Sequence, residues 1–168
     1  KFSFQGADLD SAIPFRRPSI YPLNHIAVEP AGPTFYGVTT HKFGKIDSQT
    51  GEFEEILFND ESIPRLSWPG GIAFDSRRNR IFITSRGHLY SYYPETNYWE
   101  VVAELKAMQI VYRPEEDLLY SLEAGGEKLK KINMRGAVIG EVNLSEKVPS
   151  ANTWEDIKVQ LVWSANNI

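Results

Sequence analysis

What most constrains the fold of this chain is that it repeats itself. Laid along its own length, the sequence returns to one pattern at Ile26, Ile72 and Ile110, at intervals of about forty residues. Ten residues beyond each isoleucine stands a bulky aromatic in a β-rich run: Tyr36 in Phe-Tyr-Gly-Val-Thr, Phe82 in Ile-Phe-Ile-Thr-Ser, Tyr120 in Leu-Leu-Tyr-Ser-Leu. Turn-forming residues fill the gaps at Glu29–Pro33, Asp75–Asn79 and Arg113–Asp117. A third run ends on Ile46, on Tyr92 and, after the Ala124-Gly125-Gly126 insertion, on Ile132. Second turns follow at Asp47–Gly51, Pro94–Asn97 and Asn133–Gly136, where Asp, Asn, Gly and Pro supply the dihedrals of tight turns.

The middle copy is the most legible. Ile72–Phe74, Arg80–Ser85, His88–Tyr93 and Trp99–Leu105 are four short apolar or alternating runs separated by hairpin-sized breaks, which predicts a four-stranded meander. Trp99–Met108 comes nearest to a helical period, but its valines and its place in the repeat favour a strand. Pro18, Pro64 and Pro149 stand eight residues before Ile26, Ile72 and Ile157, so Ile157–Trp163 is nominated as the first strand of a further unit.

Four-stranded antiparallel units of this length are the blades of a β-propeller. One such sheet cannot bury both faces alone, so blades stack about an axis with the core between neighbours. The expected fold class is therefore all-β, one propeller segment over 1–168. It divides into a strap at 1–22, blades at 23–58, 69–105 and 108–144, and the start of another at 157–168. About three complete blades and part of a fourth make a partial ring: a fragment of a larger ring is favoured, completed by the rest of a parent chain, with completion by a second copy or an open arc as the alternatives. Phe43–Glu52 and Leu89–Asn97 resemble the strand and turn of NHL-repeat proteins, regucalcin-type lactonases and virginiamycin B lyase-like proteins, and the resemblance covers roughly Asn24 to Leu144. The matching residues are those that build turns, so the resemblance implies blade architecture and no particular activity.

Bulk properties narrow the partners. The 18 Lys and Arg against 22 Asp and Glu, a formal charge of −4, argue against a nucleic-acid partner, since phosphate binding rests on clustered cations. The basic clusters Arg77-Arg78-Asn79-Arg80 and Lys128-Leu129-Lys130-Lys131 are read as a turn and a solvated strand face. Cysteine is absent, which removes thiol catalysis, thiolate metal sites and disulfides. It leaves the compartment open, with an extracytoplasmic or secreted one favoured. No apolar run approaches the ~18–20 residues of a membrane-spanning helix.

Candidate chemistry gathers on one face. In a propeller, the connectors between blades and the second-to-third strand hairpins open on the same side. His25, His41 and His88 all fall there, with Asn24, Lys42, Arg86 and Glu123. Histidine can serve as general base near neutral pH or ligate a metal, so these three are the candidate catalytic residues of a lyase or hydrolase. The plainer reading is that they are solvated turn residues. The resemblance implies a divalent cation if the chain is an enzyme of the lactonase kind, although no metal-ligand set can be assembled from the sequence. Trp68 and Trp154 lie on the long connectors 59–69 and 145–156, as plugs over a blade edge or as aromatic contacts for a ligand. Ser67, Ser85 and Ser121 lack a nucleophile elbow, and Gly70-Gly71 and Gly125-Gly126 are read as turn glycines. The expected function is binding of a protein, peptide or carbohydrate on the loop face, through Trp68, Arg86, Glu123 and Trp154. A lyase or hydrolase is the alternative.

Overall fold

A computed structural model describes residues 23–29, 34–58, 66–123 and 127–144. The expected strap at 1–22, the further blade at 157–168, Trp154 and Gly125-Gly126 lie outside the described residues. Twelve strands and no helix are found among the described residues, in three four-stranded antiparallel sheets. The first sheet holds β1 (His25–Val28), β2 (Thr34–Val38), β3 (Phe43–Asp47) and β4 (Phe53–Glu55). The second holds β5 (Gly71–Asp75), β6 (Arg80–Ser85), β7 (His88–Tyr93) and β8 (Tyr98–Glu104). The third holds β9 (Gln109–Arg113), β10 (Leu118–Leu122), β11 (Lys128–Ile132) and β12 (Val138–Asn143).

The repeat of the sequence is a repeat of register. Ile26 pairs with Gly37, Ile72 with Ile83 and Ile110 with Ser121. The residue after each isoleucine then faces the repeated aromatic: Ala27 against Tyr36, Ala73 against Phe82, Val111 against Tyr120. The residues closing the third strands are equivalent as well, with Phe35 opposite Ile46, Ile81 opposite Tyr92 and Leu119 opposite Ile132. All three closing residues are buried. The first strands β1, β5 and β9 lie beside one another, so they are the innermost strands of three blades about a common axis.

Because side chains alternate along a strand, each sheet offers two faces, and the core consists of two seams. Between the first and second blades, Tyr36, Val38 and Phe43 meet Ile72, Ile81, Ile83, Tyr92 and Trp99. Between the second and third, Ala73, Phe82 and Leu89 meet Ile110, Tyr112, Leu119 and Ile132. The first seam is aromatic: Phe43 sits edge-on to both Tyr92 and Trp99 at 5.2 Å, and Phe58 stacks on Trp99 at 4.3 Å. Such pairs add about 0.5–1.5 kcal/mol each beyond the area they bury. The second seam is largely aliphatic.

Turn chemistry explains where the strands stop. In the turns after β3, β5 and β11, the first residue is Asp47, Asp75 or Asn133. Its side-chain oxygen accepts backbone N–H bonds from residues two to four positions on, at 2.7 to 3.3 Å. These turns close through a left-handed residue, Gly51 at φ 70°, Asn79 at 48° and Gly136 at 83°, and the turns after β7 and β9 do so through Asn97 at 50° and Asp117 at 54°. Gly, Asn and Asp are the residues that enter this region most readily.

Three local expectations are corrected. The outer strand of the first blade ends at Glu55, short of the blade's expected end at Phe58. Beyond it, Ile56 still donates its N–H to the Phe43 carbonyl at 2.8 Å, and Ile56 and Phe58 pack into the first seam. Gly70 and Gly71 are not turn glycines: Gly71 opens β5. A Cβ on Gly70 would lie 1.9 Å from the Ala107 carbonyl oxygen, and one on Gly71 2.8 Å from the Ile110 nitrogen. They let the second and third blades approach backbone to backbone near the axis. The lysines of β11 do not share one solvated face. Lys128 and Lys130 pair with Glu141 and Glu123, while Lys131 points the other way, its ammonium 5.5 Å from the centre of the Tyr120 ring.

Candidate functional site

The loop face is built from the β2–β3 and β6–β7 hairpins and the connector that enters β5. In the first hairpin the Thr39 hydroxyl oxygen accepts bonds from the backbone N–H of His41 and Lys42 at 3.3 and 3.0 Å. That folds the chain tightly and turns His41 outward to an exposed position. In the second, Arg86 and Gly87 take φ of 50° and 78°, the paired positive angles of a two-residue hairpin turn. The connector is stitched to both hairpins. The Trp68 N–H donates to the Thr40 carbonyl at 2.9 Å. The Ser85 hydroxyl donates to the Ser67 carbonyl at 2.8 Å and accepts from the Ser67 N–H at 2.9 Å. Ser85 is thereby committed to structure.

This stitching has a consequence for Trp68. It is held at φ 51°, a conformation that bulky residues avoid and that persists only when the surroundings impose it. Its side chain is 75% exposed. The expectation of a plug packed over a blade edge is therefore corrected: the indole is displayed to solvent. Two residues earlier, the buried Leu66 forms part of a cleft of about 710 Å³ between the first two blades. The walls include Phe43, Ile56 and Phe58, and the rim His41, Lys42, Glu55, Leu57 and Arg86. Leu57 is 67% exposed. Lys42 and Glu55 neutralise each other across the rim, whereas Arg86 forms no ion pair among the described residues.

The other expected residues are dispersed. His25 is half-buried at the start of β1 and lines a second cavity of about 610 Å³, walled by the inner strands β1, β5 and β9. Burial pushes its pKa down. His88 does not reach the cleft; its Nδ1 lies within hydrogen-bond distance of the Arg86 carbonyl, at 3.2 Å. Glu123 is engaged by the Lys130 ammonium. The fold thus brings His41, Lys42 and Arg86 to one cleft and places His25 in another. Among the described residues no cluster of three or more His, Cys, Asp or Glu is arranged to hold a metal ion.

The opposite, turn-bearing face holds an arrangement that the sequence reading missed. Asp75, read there as a turn residue, is the fully buried end of β5, directly across from Arg80. Its Oδ2 accepts from Arg80 Nε at 3.0 Å and from Arg78 Nη1 at 3.2 Å. Arg78 then crosses to the third blade and grips Asp117 with two parallel bonds of 2.7 and 2.6 Å. The guanidinium bond, with help from the Tyr112 hydroxyl, holds the Asp117 carboxyl well below the usual range. Arg80 also lies 4.4 Å over the centre of the Phe82 ring and donates to the Tyr93 hydroxyl at 3.1 Å. An Asp and an Arg on directly opposed strand positions, which a correct register would have exposed, was the available signal.

No protein-family model matches the sequence, and no curated protein matches it. Solved structures do. The chain is similar to one in the crystal structure of a nidogen/laminin complex, with TM-score 0.56 and 19% identity over 71% of this chain and 48% of that one. It is also similar to a chain of Kuenenia stuttgartiensis hydrazine synthase, with TM-score 0.55 and 11% identity over 76% of this chain and 38% of that one. A third is the extracellular domain of a putative one-component system from B. thetaiotaomicron, with TM-score 0.55 and 12% identity over 72% of this chain and 17% of that one. The match spans half or less of each of those chains. At such identities the likeness shows the fold, and with the three registered sheets it makes this chain a β-propeller segment.

Proposed function

We propose that this chain is a binding module whose loop face takes a protein or peptide segment. The observation that carries the reading is Trp68: a large aromatic, fixed in a left-handed conformation by bonds from its connector to two hairpins, yet mostly exposed beside an apolar cleft. Tryptophan and arginine are enriched at binding hot spots, the one presenting a large rigid apolar area and the other a directional charge. Both stand on this face, with Leu57 between apolar walls and solvent. The nidogen/laminin neighbour, a protein assembly by its description, is in keeping with such a role. Trp68 and Arg86 are the proposed anchors. Glu123 and Trp154 join this proposal from the sequence alone, and no observation favours the lyase or hydrolase use of His25, His41 and His88 over it.

The test is selection of a random displayed peptide library against the protein, followed by titration of the enriched peptides into the Trp68→Ala and Arg86→Glu variants. Loss of at least tenfold in affinity in the Trp68 variant is expected. Enriched peptides that bind Trp68→Ala and Arg86→Glu as tightly as the parent would remove the reading.

A further inference from the structure

The two seams between blades are built from the same pair of mating faces, and the described body ends in one of each, unpartnered. On the isoleucine-bearing face, Ile72 and Ile110 are each 7% exposed because the preceding blade covers them. At the equivalent place in the first blade, Ile26 is 57% and its neighbour Val28 50% exposed. On the opposite face, Tyr36 and Phe82 are buried against the following blade. Their counterpart Tyr120, and Leu129 beside it, are only half-buried. An apolar strand face of this kind left in water is a docking surface.

We infer that a second copy of this chain occupies these faces, the first blade of each copy against the third blade of the other. The occupant is set by continuity with the two internal seams. The face open on the first blade is the kind that a third-blade face of this same chain is patterned to cover, and the reverse. One two-fold operation satisfies both at once and closes the assembly. Three described blades from each copy make six, within the four to eight of closed propellers. The central cavity lined by His25 would then be walled by inner strands from both copies.

The experiment is the mass of the full 168-residue chain in solution, by light scattering and sedimentation, with the variants Ile26→Asp and Leu129→Asp each measured alone. Twice the monomer mass is expected for the parent chain and the monomer mass for each variant, with the β-sheet circular dichroism retained. A monomeric parent overturns the inference, whether Ile26 is shielded by the chain's own residues or open to a carbene footprinting reagent. A dimer that Ile26→Asp leaves intact overturns it as well.

Discussion

The two rims of this molecule treat polar groups in opposite ways. On the turn-bearing rim, charges are spent on one another: Asp75 on Arg78 and Arg80, and Arg78 again on Asp117 in the next blade. On the loop rim the ion pairs Lys42–Glu55 and Lys130–Glu123 stay within one blade, and the side chains that would span blades are left over, with Trp68 and Leu57 in solvent and Arg86 without an ion pair among the described residues. A rim whose groups saturate each other holds blades together. One whose backbone is pinned while its side chains stay unspent is arranged to meet something else.

The sharpest way to break this contrast is at Asp75. Asp75→Ala leaves the Arg80 side chain, 6% exposed, without its buried counter-charge, and a loss of about 3–5 kcal/mol is expected in urea unfolding. Trp68→Ala should change stability by no more than about 0.5 kcal/mol. Equal effects at the two sites would dissolve the distinction between rims.

A smaller effect is expected between blades. Arg78 and Asp117 are partly exposed, so solvent screening limits their coupling to about 1 kcal/mol in a double-mutant cycle. Because the folded Asp117 carboxyl titrates below its unfolded value, near 3.9, its contribution is complete above that pH and is lost as pH falls through the folded value. Asp117→Asn should therefore flatten the acid limb of the stability curve below about pH 4. An unchanged limb would show the pair to be ornamental.

The smallest effect belongs to His25. Burial lowers its folded pKa, so the unfolded chain binds the proton more readily. Stability should be full above about pH 6.5 and decline on acidification through the folded value. His25→Gln should remove that decline between pH 7 and 5, measured by thermal unfolding at each pH.

What the sequence could reveal follows the same division. Strands and turns were legible because they rest on local residues recurring at fixed offsets: Ile26, Ile72 and Ile110, the aromatics ten residues on, and the Asp, Asn and Gly of the turns. The Asp75–Arg78–Asp117 clasp was not, because it depends on which turns of neighbouring blades come together, a long-range fact that no local pattern encodes. Trp68 was legible as a candidate but not as an exposed one, since its display follows from bonds of the Ser67-Trp68 connector to Thr40 and Ser85 in different blades. The three histidines shared a face in the topology, and the cavities they line separated His41 from His25.

The most direct test of the account is amide hydrogen exchange of the parent chain with and without a peptide selected on it. Slowed exchange should be confined to the loop rim, in Thr39–Lys42, Ser67–Gly70 and Arg86–His88, with the turns at Ser76–Asn79 and Pro94–Asn97 unaffected. Protection on the turn-bearing rim, with the loop rim unchanged, would contradict it.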